Sequence, residues 1–550
     1  MAMRLLRWCV GLAWLALAGL FVALPAAGFA LGTPRPPPLP AGFTPLRAQP
    51  DGDGLHAGHG TRRPVGALTW VDLRGSPEDI GAAQGALLQD RIGDLEQDMV
   101  ATLVERVPGF PARHLLLGAV GLANRTLPDW FTAEELRELH AATASGDPAL
   151  DRMRHLGPPF QRAVHYHALH DVSQYLIDNP LVRPIQVGCS AFAAAGADGG
   201  VVAGRIFDFE GGPRFDLDKV VYTVHPERGH AFIHVAWPGM TGVVTGMNDA
   251  GLWVSLNAAA SAGGGVVGRP IVMAAREILQ HAGSIAEAEA VLARSRVFVS
   301  SALLIASGRE RRAVVAEIGP GGLALRPWHD GRISATNHFQ DPRWAMDPRN
   351  RERMAQGTTQ ARLARLEELI ASGPMDATRA VAVLRDRRGP GGRDLGFAHR
   401  STINAWIAAH LAVADLERGI LWVSEPRHGL GAMRAFTLAG PLPAADLPAD
   451  PELARCLADL PRWNALCARL ADGIADPAER AAAAQAVVAL NPGHFAAHWL
   501  AGLASDDPAA RRAALERALA LAPAYAADAA AIRRALAGAH AVPGDPPRDP

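Results

Sequence analysis

Lysine is almost missing from this sequence of 550 residues. Of its 54 basic residues all but Lys219 are arginines, and with 55 acidic residues the net charge is −1. A Schiff-base or pyridoxal enzyme needs a catalytic lysine, and a single one at the start of an Asp-Lys-Val-Val strand argues against that chemistry. The near-neutral charge also lacks the basic field that holds nucleic acid. We therefore expect no pyridoxal cofactor and no nucleic-acid partner.

Cysteine is scarce too, with only Cys9, Cys189, Cys456 and Cys467. No pair has the Cys-x-x-Cys spacing of a zinc or redox site. Cys456 and Cys467 would lie about 16 Å apart on one straight helix, which is too far for a disulfide. Pro461 can break that helix, and in an exported protein the pairing then stays open.

Three histidines fall close together, at His165, His167 and His170, on a predicted helix at 159–177. At helical spacing His165 and His167 point to different faces, and only His167 and His170 can share one. No Glu follows in the His-Glu-x-x-His pattern of zinc enzymes. We expect these rings to pack or to form hydrogen bonds ahead of Cys189, and we expect no metal and no cofactor.

The longest apolar run lies near the N-terminus, from Trp8 to Leu31, behind Arg4 and Arg7. A short basic segment before an apolar stretch is typical of an export signal. At roughly 23 residues the run also suffices to span a bilayer as a helix. Residues 1–32 are therefore predicted to be a signal peptide or a membrane anchor, followed by a Pro- and Gly-rich linker at 33–65. We expect an exported protein, either free in the periplasm or anchored to the inner membrane.

The stretch at 188–210 carries the strongest chemical signal. It predicts two short strands joined by a turn at 198–200, because Asp-Gly or Gly-Gly between apolar runs favours a hairpin. Cys189 opens the first strand, and Arg205 and Asp208 close the second. An antiparallel pair would bring these three side chains together. A permanent cation beside a thiol lowers the pKa of the thiol, which is how a cysteine becomes a nucleophile.

Arg205 and Asp208 follow Cys189 by 16 and 19 residues, within a Gly-Arg-x-x-Asp sequence. With this spacing the sequence resembles the acyl-coenzyme A:6-aminopenicillanic acid acyltransferase family of cysteine N-terminal-nucleophile hydrolases, whose relatives include choloylglycine hydrolases and penicillin V acylases. The segment Arg74–Gly85 resembles the start of the same family. The resemblance covers about residues 68–440 and implies an α+β fold, a four-layer αββα sandwich.

Three further site residues are implied by the resemblance. A Gly-Met-Asn-x-x-Gly-Leu-x-x-x-Leu-Asn segment ends at Asn257, which matches the family residue whose side-chain amide contributes to the oxyanion hole. An Asn suits that task because its NH2 donates, without charge, to an oxygen that becomes negative. Asn337, directly after a Thr, matches the family's Asn beside the nucleophile. Arg400, which we expect to begin a strand, matches another active-site arginine.

The same resemblance implies that the chain is a precursor. Attack of the Cys189 thiol on the Gly188 carbonyl gives a thioester, and hydrolysis frees Cys189 as a new N-terminus. Gly188 has no side chain to hinder that attack. The α-amine, with a pKa of about 8, then acts as the base, while Asp208 orients the amine and Arg205 the thiolate. The implied substrate is a small molecule whose amide or thioester acyl group is hydrolysed or transferred.

The expected organisation places a mainly helical fragment at 66–188 and the catalytic αββα domain at 189–440. Beyond it, at 441–550, the composition becomes Ala-rich, and Ala-Leu-x-Pro endings recur 31 residues apart. This period is close to the roughly 34 residues of tetratricopeptide arrays, which the segment resembles over fewer than two full repeats. A helical-hairpin appendage is favoured over a groove that binds a protein partner.

Two other functions stay open. The chain could be a membrane-tethered interaction protein that uses its C-terminal helices and an inactive hydrolase-like body, although Cys189, Arg205 and Asp208 are all retained. Alternatively, the same fold could hydrolyse lipid amides or phospholipids. The sequence does not separate these substrates, because pocket walls come from scattered loops.

Overall fold

The computed structural model describes residues 33–107, 109–177, 188–264 and 267–538, together with a few helical positions between 19 and 31. Most of the predicted signal or anchor segment at 1–32 lies outside the described residues. In the described part of the chain, no helix is both long enough and apolar enough to cross a membrane.

The strands belong to two sheets. Numbered along the chain, they are β1 (Gln49–Asp51), β2 (Gly54–Ala57), β3 (Gly60–Val65), β4 (Leu68–Gly75), β5 (Ser190–Ala195), β6 (Val201–Asp208), β7 (Val220–Pro226), β8 (Phe232–Ala236), β9 (Thr245–Asn248), β10 (Leu252–Ala258), β11 (Ser301–Ser307), β12 (Arg312–Gly319), β13 (Gly322–Pro327), β14 (Arg332–Ala335), β15 (Ala408–Asp415), β16 (Ile420–Ser424), β17 (Met433–Thr437) and β18 (Gly440–Pro441). Among the described residues, eleven strands form the larger sheet, in the order β1-β2-β3-β4-β7-β8-β9-β10-β11-β12-β13, and seven form the smaller one, in the order β14-β5-β6-β15-β16-β17-β18. Neighbouring strands are antiparallel except for the parallel pair β4 and β7.

Helices cover the outer faces of both sheets and make up the C-terminal region. They are α1 (Pro77–Arg106), α2 (Phe110–Ala123), α3 (Ala133–Ala144), α4 (Pro159–His167), α5 (Leu169–Ile177), α6 (Arg214–Leu217), α7 (Ile271–His281), α8 (Ile285–Arg294), α9 (Pro348–Gln356), α10 (Thr359–Ala371), α11 (Ala377–Leu384), α12 (Leu453–Asp472), α13 (Pro477–Leu490), α14 (Phe495–Ala504), α15 (Pro508–Ala520) and α16 (Ala526–Leu536). At the start of α1, Ser76 caps the helix and forms a reciprocal capping box with Asp79.

Four layers follow from the buried clusters. Val221 of β7 and Val235 of β8 share one cluster with Ala191 of β5 and Ala412 of β15, so the two sheets pack face to face. The other face of the larger sheet is covered by α1, α3, α7 and α8. The other face of the smaller sheet packs against α10 and α11. The order is helices, sheet, sheet, helices, which is an α+β sandwich as the sequence predicted.

The C-terminal helices have a buried cluster of their own. It joins Trp463, Phe495 and Leu515 to Phe397 and Trp406 of the preceding region. The helices are therefore packed against the αββα body through the segment that precedes β15. The resemblance of this region to tetratricopeptide repeats stays a prediction.

Two expectations from the sequence need correction. Residues 49–65, expected within a linker, form three strands, because Gly52 and Gly58 adopt positive φ angles of 60° and 54° and make tight turns between them. A strand expected from Arg400 begins only at Ala408. The segment before it has Trp406 at a positive φ of 56° and is held as a loop.

The helix α12 also differs from the alternative in which Pro461 breaks it. Pro461 lies inside one continuous helix from Leu453 to Asp472, and Cys456 and Cys467 on it are both buried. A proline in a helix interior costs about 3 kcal/mol. Burial of Cys456, Trp463 and Cys467 on one face of the helix opposes that cost.

Candidate active site

The hairpin predicted at 188–210 is present and positions the site. Strand β5 pairs antiparallel with β6, with Ala191 directly opposite Arg205. The N–H of Gly188 donates to the backbone carbonyl of Asp208 at 3.3 Å, so the pairing continues past the end of β5. Cys189 therefore lies at the open end of the hairpin, 2% exposed, between the two strands' polar residues.

Arg205 crosses from the smaller sheet to the larger one. Its Nη1 donates to Thr245 Oγ1 at 3.1 Å, and its Nη2 donates to Asn257 Oδ1 at 3.1 Å and to the carbonyl of Leu256. His410 Nε2 lies 3.4 Å from Nη1. Each of these contacts is with a neutral group. A fully buried guanidinium is thus held by uncharged acceptors, which leaves its positive charge without a bonded anion among them.

This charge bears on the Cys189 thiol. Burial raises the pKa of Cys189, and the positive charges of Arg205 and Arg362 act in the opposite direction. The Asp208 carboxylate adds to the increase. A cation whose hydrogen-bond acceptors are all neutral, placed beside a buried thiol, is an arrangement that stabilises a thiolate when it forms.

Arg362 was not predicted from the sequence, yet it contacts the site most extensively. Its Nη1 donates to the carbonyls of Gly188 at 3.0 Å and Cys189 at 2.6 Å, and to Ser190 Oγ at 3.1 Å. Its Nη2 donates to Asn337 Oδ1 at 2.6 Å. The carbonyl oxygen of the bond predicted to be cleaved is therefore held by a buried cation.

Gly188 fits a space that no side chain could enter. A Cβ built on Gly188 would lie 2.9 Å from Asp208 Oδ2 and 3.4 Å from Asp208 Cβ. Real Cβ atoms do not approach an oxygen that closely, so a larger residue would displace either the Asp208 carboxyl or the Gly188 carbonyl. The glycine keeps both in place.

The pKa of the Asp208 carboxyl lies near neutral pH. Burial raises its pKa from 3.8 to about 7, while the positive charges of Arg362, Arg400 and Arg205 oppose the increase and Glu210 adds to it. Its Oδ1 has no hydrogen-bond partner in the described part of the chain. A carboxyl with this pKa exchanges its proton in the pH range in which enzymes use general acids and bases.

Arg400 lies on the Asp208 side of the site. Its Nη2 donates to Glu210 Oε1, and Arg106 contributes a second cation 3.8 Å from Glu210 Oε2. The structure thus places Arg400 beside the carboxyl group, while Arg362 is the arginine that holds the Cys189 backbone.

The two predicted asparagines brace the site. Asn257 Nδ2 donates to the carbonyls of Ala335 at 3.1 Å and Thr336 at 3.3 Å. Asn337 Nδ2 donates to the carbonyl of Ala258 at 2.9 Å. Both side chains therefore join the end of β10 to the end of β14, next to the hairpin. The role of Asn257 as an oxyanion donor stays a prediction.

His410 and Thr245 are two more buried residues that the sequence did not reveal. Thr245 Oγ1 lies 2.9 Å from His410 Nε2, and both contact Arg205. The His410 ring stacks on Phe207 at 5.3 Å between centroids. Burial lowers the pKa of His410 well below 6.5, assisted by the charge of Arg205, so its ring is neutral and accepts at Nε2. The pair holds one edge of the guanidinium without adding charge.

The clustered histidines singled out in the sequence, and also His338 after β14, are occupied elsewhere. His167 Nε2 accepts from the Thr241 N–H at 2.8 Å, and His338 Nδ1 lies 2.8 Å from Thr359 Oγ1. Burial lowers the pKa of each to about 4. His170 is half-buried, and desolvation lowers its pKa to about 4, with the charge of Arg205 acting in the same direction. No group of His, Cys, Asp or Glu suited to a metal ion occurs in the described ranges.

One signal could have revealed Arg362. It shares a helical face with Leu366 and Ile370, all three buried on α10. An arginine within an apolar stripe at helical spacing has to meet a polar partner inside the protein. His410 offers no comparable pattern, because it alternates with alanines on a strand that is buried on both faces.

Comparison with known proteins agrees with this geometry. A sequence model of the acyl-coenzyme A:6-aminopenicillanic acid acyl-transferase family matches residues 197–405. The chain resembles this acyltransferase family. The match includes Arg205, Asp208, Arg362 and Arg400 and begins after Cys189, so the nucleophile itself rests on the hairpin geometry.

Individual relatives of the chain are distant. An uncharacterized protein of Archaeoglobus fulgidus is 27% identical over 278 residues, 46% of this chain and 44% of that protein. The chain spans about half the length of the curated relatives it matches. The Caenorhabditis elegans N-acylethanolamine-hydrolyzing acid amidase ortholog is 17% identical with a TM-score of 0.31, covering 42% of this chain and 93% of that one. Penicillin V acylase from Agrobacterium tumefaciens is 16% identical with a TM-score of 0.30, covering 46% and 92%.

Proposed function

We propose that the protein is a self-processing cysteine amidohydrolase or acyltransferase of the N-terminal-nucleophile type. The observation that carries the proposal is the position of Gly188: its carbonyl accepts from Arg362 at 3.0 Å, directly before a buried thiol whose pKa the charge of Arg205 lowers. In the acyltransferase family that the chain resembles, the same residue types perform this chemistry.

The first reaction is cleavage of the chain. Cys189 Sγ attacks the Gly188 carbonyl carbon, and the C–N bond breaks as the thiol proton passes, by way of the Asp208 carboxylate, to the leaving amine. Arg362 stabilises the negative charge that develops on the Gly188 oxygen. Water then hydrolyses the thioester, which leaves a carboxylate on Gly188 and a free thiol and α-amine on Cys189.

The second reaction repeats this chemistry on a substrate. The α-amine of Cys189 accepts the thiol proton, and the thiolate attacks an amide or thioester carbonyl. The bond to the substrate's amine or thiol then breaks, and that group leaves with the proton held by the α-amine. Asp208 orients the amine, Arg205 stabilises the thiolate, and Asn257 and Asn337 shape the surroundings of the oxyanion. Water or an amine then takes the acyl group. A lipid amide or phospholipid is the alternative substrate on the same machinery.

We further infer that the protein is exported, on the basis of its basic and apolar N-terminal segment. In the periplasm or at the inner membrane it would meet acylated small molecules from outside the cytoplasm. Association of the C-terminal helices with a protein partner is the competing proposal for that region.

The acyl-enzyme tests the proposal directly. Purified protein is mixed with the aminomethylcoumarin amide of a fatty acid or with the matching acyl-coenzyme A, quenched in acid and weighed as denatured chains. We expect the chain that begins at Cys189 to gain one acyl group, and we expect the same gain when Cys456 and Cys467 are both replaced by Ala. Acyl transfer to any other residue, or the same gain in Cys189→Ala, would overturn the assignment.

A further inference from the structure

The segment from Asp394 to Trp406, which we term the Arg400 loop, is enclosed by the C-terminal helices. Phe397 of the loop stacks on Trp406 at 4.9 Å between ring centroids and meets the edge of Trp463 of α12 at 5.8 Å. All three rings are buried. The loop and the helices therefore share one core rather than touching through a solvated surface.

Asn491, at the end of α13, binds the loop backbone on both sides. Its Oδ1 accepts from the Phe397 N–H at 3.2 Å, and its Nδ2 donates to the Phe397 carbonyl at 2.9 Å. Gly396 permits this approach: it has a φ of +78°, and a Cβ built there would lie 2.3 Å from Asn491 Oδ1. The Asn491 side chain thus bonds both the N–H and the carbonyl of Phe397, as a neighbouring strand would do, and holds the loop backbone in place.

A second attachment lies next to Arg400 itself. His399 Nε2 donates to the carbonyl of Ala522, beyond α15, at 3.1 Å. Its Nδ1 accepts from the Ser401 N–H at 3.2 Å. This bond links the residues on either side of Arg400. Both neighbours of Arg400 are thus tied to a ring that is anchored on the C-terminal helices.

Arg400 connects the loop to the surroundings of the Asp208 carboxyl. Arg400 donates to Glu210, two residues beyond Asp208, and its charge opposes the burial that raises the pKa of Asp208. The side chains that face Asp208 with charge are Arg205, Arg362, Arg400 and Glu210. Of these, only Arg400 sits on a segment that the C-terminal helices hold.

We infer that the C-terminal helices act as an internal clamp for the Arg400 loop, with Asn491 and His399 as positioning residues that keep Arg400 beside Glu210 and Asp208. This inference rests on the proposed function, since it assigns a task in the self-cleavage reaction. In this inference the protein's own loop occupies the inner face of α13 around Asn491. A repeat that binds a partner would leave that face free for another chain.

A double-mutant cycle on the full chain tests the inference. Wild type, Asn491→Ala, Arg400→Ala and the double variant are made by cell-free synthesis, and the chain that begins at Cys189 is followed by mass over time. We expect Asn491→Ala to slow self-cleavage roughly tenfold, and to add little in the Arg400→Ala background because it acts through that residue. The acidic limb of the rate-against-pH profile should move to higher pH in both single variants, since Asp208 loses the opposing charge of Arg400.

Controls separate this inference from the proposed function. Arg512→Ala removes a 70% exposed side chain on the same C-terminal unit and should leave the rate unchanged. Gly396→Ala, which forces the loop off Asn491, should reproduce the slower rate and the pH shift if Asn491→Ala does not fold. The clamp would be overturned if Asn491→Ala and Gly396→Ala cleave at the wild-type rate. It would also be overturned if Asn491→Ala slows cleavage by the same factor in the wild-type and the Arg400→Ala backgrounds. A wild type that never cleaves would instead overturn the proposed function.

Discussion

Arg362→Ala leaves the chain in one piece. The guanidinium is fully buried and donates to the Gly188 carbonyl, whose oxygen becomes negative when the thiol attacks. Removing one preorganised donor to an oxyanion slows acyl transfer by about 10²–10³-fold. Here the lost donor is also a charge, so self-cleavage should fall at least that far, as followed by the mass of the denatured chains.

Two matched variants show whether the effect belongs to the fork of Arg362. Arg362→Lys keeps the charge but not the simultaneous bonds to Gly188 and Asn337, and should cleave at an intermediate rate. Arg365→Ala, one turn further along α10, removes an arginine that pairs with Asp386 and Glu368, away from the hairpin, and should cleave normally. Normal cleavage in folded Arg362→Ala would show that the Gly188 carbonyl needs no cation.

Asp208→Asn should abolish measurable self-cleavage and at the same time stabilise the precursor above neutral pH. The carboxyl is buried and close to Gly188, so it is placed to exchange a proton during cleavage, and the proposed mechanism has it orient the future α-amine. Removing a general acid or base of this kind costs about 10²–10⁴-fold. The rate of appearance of the second chain measures this loss.

The stability effect has a defined pH dependence. An unfolded aspartate titrates near 3.8, whereas burial raises the pKa of Asp208 in the folded chain to about 7. The folded state therefore holds the proton more tightly, and the stability from this group is complete below 3.8 and lost as pH rises through 7. Asn cannot ionise and keeps that stability, which amounts to about 1.4 kcal/mol per pKa unit.

Urea unfolding is measured in a Cys189→Ala background, with and without Asp208→Asn, so that both proteins stay uncut. The difference in their free energies of unfolding then gives the contribution of Asp208 ionisation. The advantage of the Asn variant should grow as the pH rises toward 7 and then level off. An advantage that stays constant with pH, or that is largest in acid, would contradict a raised pKa for Asp208.

The sequence predicted the part of the site that lies on one hairpin. The Gly-rich turn sets the pairing of β5 with β6, and a two-residue alternation then decides which side chains approach Cys189. Arg205 and Asp208 could be placed because the distances along the chain are short. The αββα layers could be predicted only through the family resemblance, since the fully buried strands show little alternation.

Residues brought in by tertiary packing could not be placed in this way. Arg362 reaches the Cys189 backbone from α10, and His410 reaches Arg205 from β15, over sequence separations of more than 170 residues. Arg400 was expected on a strand, but the C-terminal helices hold its segment as a loop, and no local pattern encodes that contact. Local periodicity describes elements, whereas these contacts depend on how the elements pack.

The central claim is that the Cys189 thiol cleaves the Gly188–Cys189 bond of its own chain. The masses of the denatured chains test this claim most directly. Wild type should give two chains, the second with the N-terminal sequence Cys189-Ser190-Ala191-Phe192, and Cys189→Ala should give one. A folded wild type that remains a single chain would contradict the account and favour the inactive, partner-binding alternative.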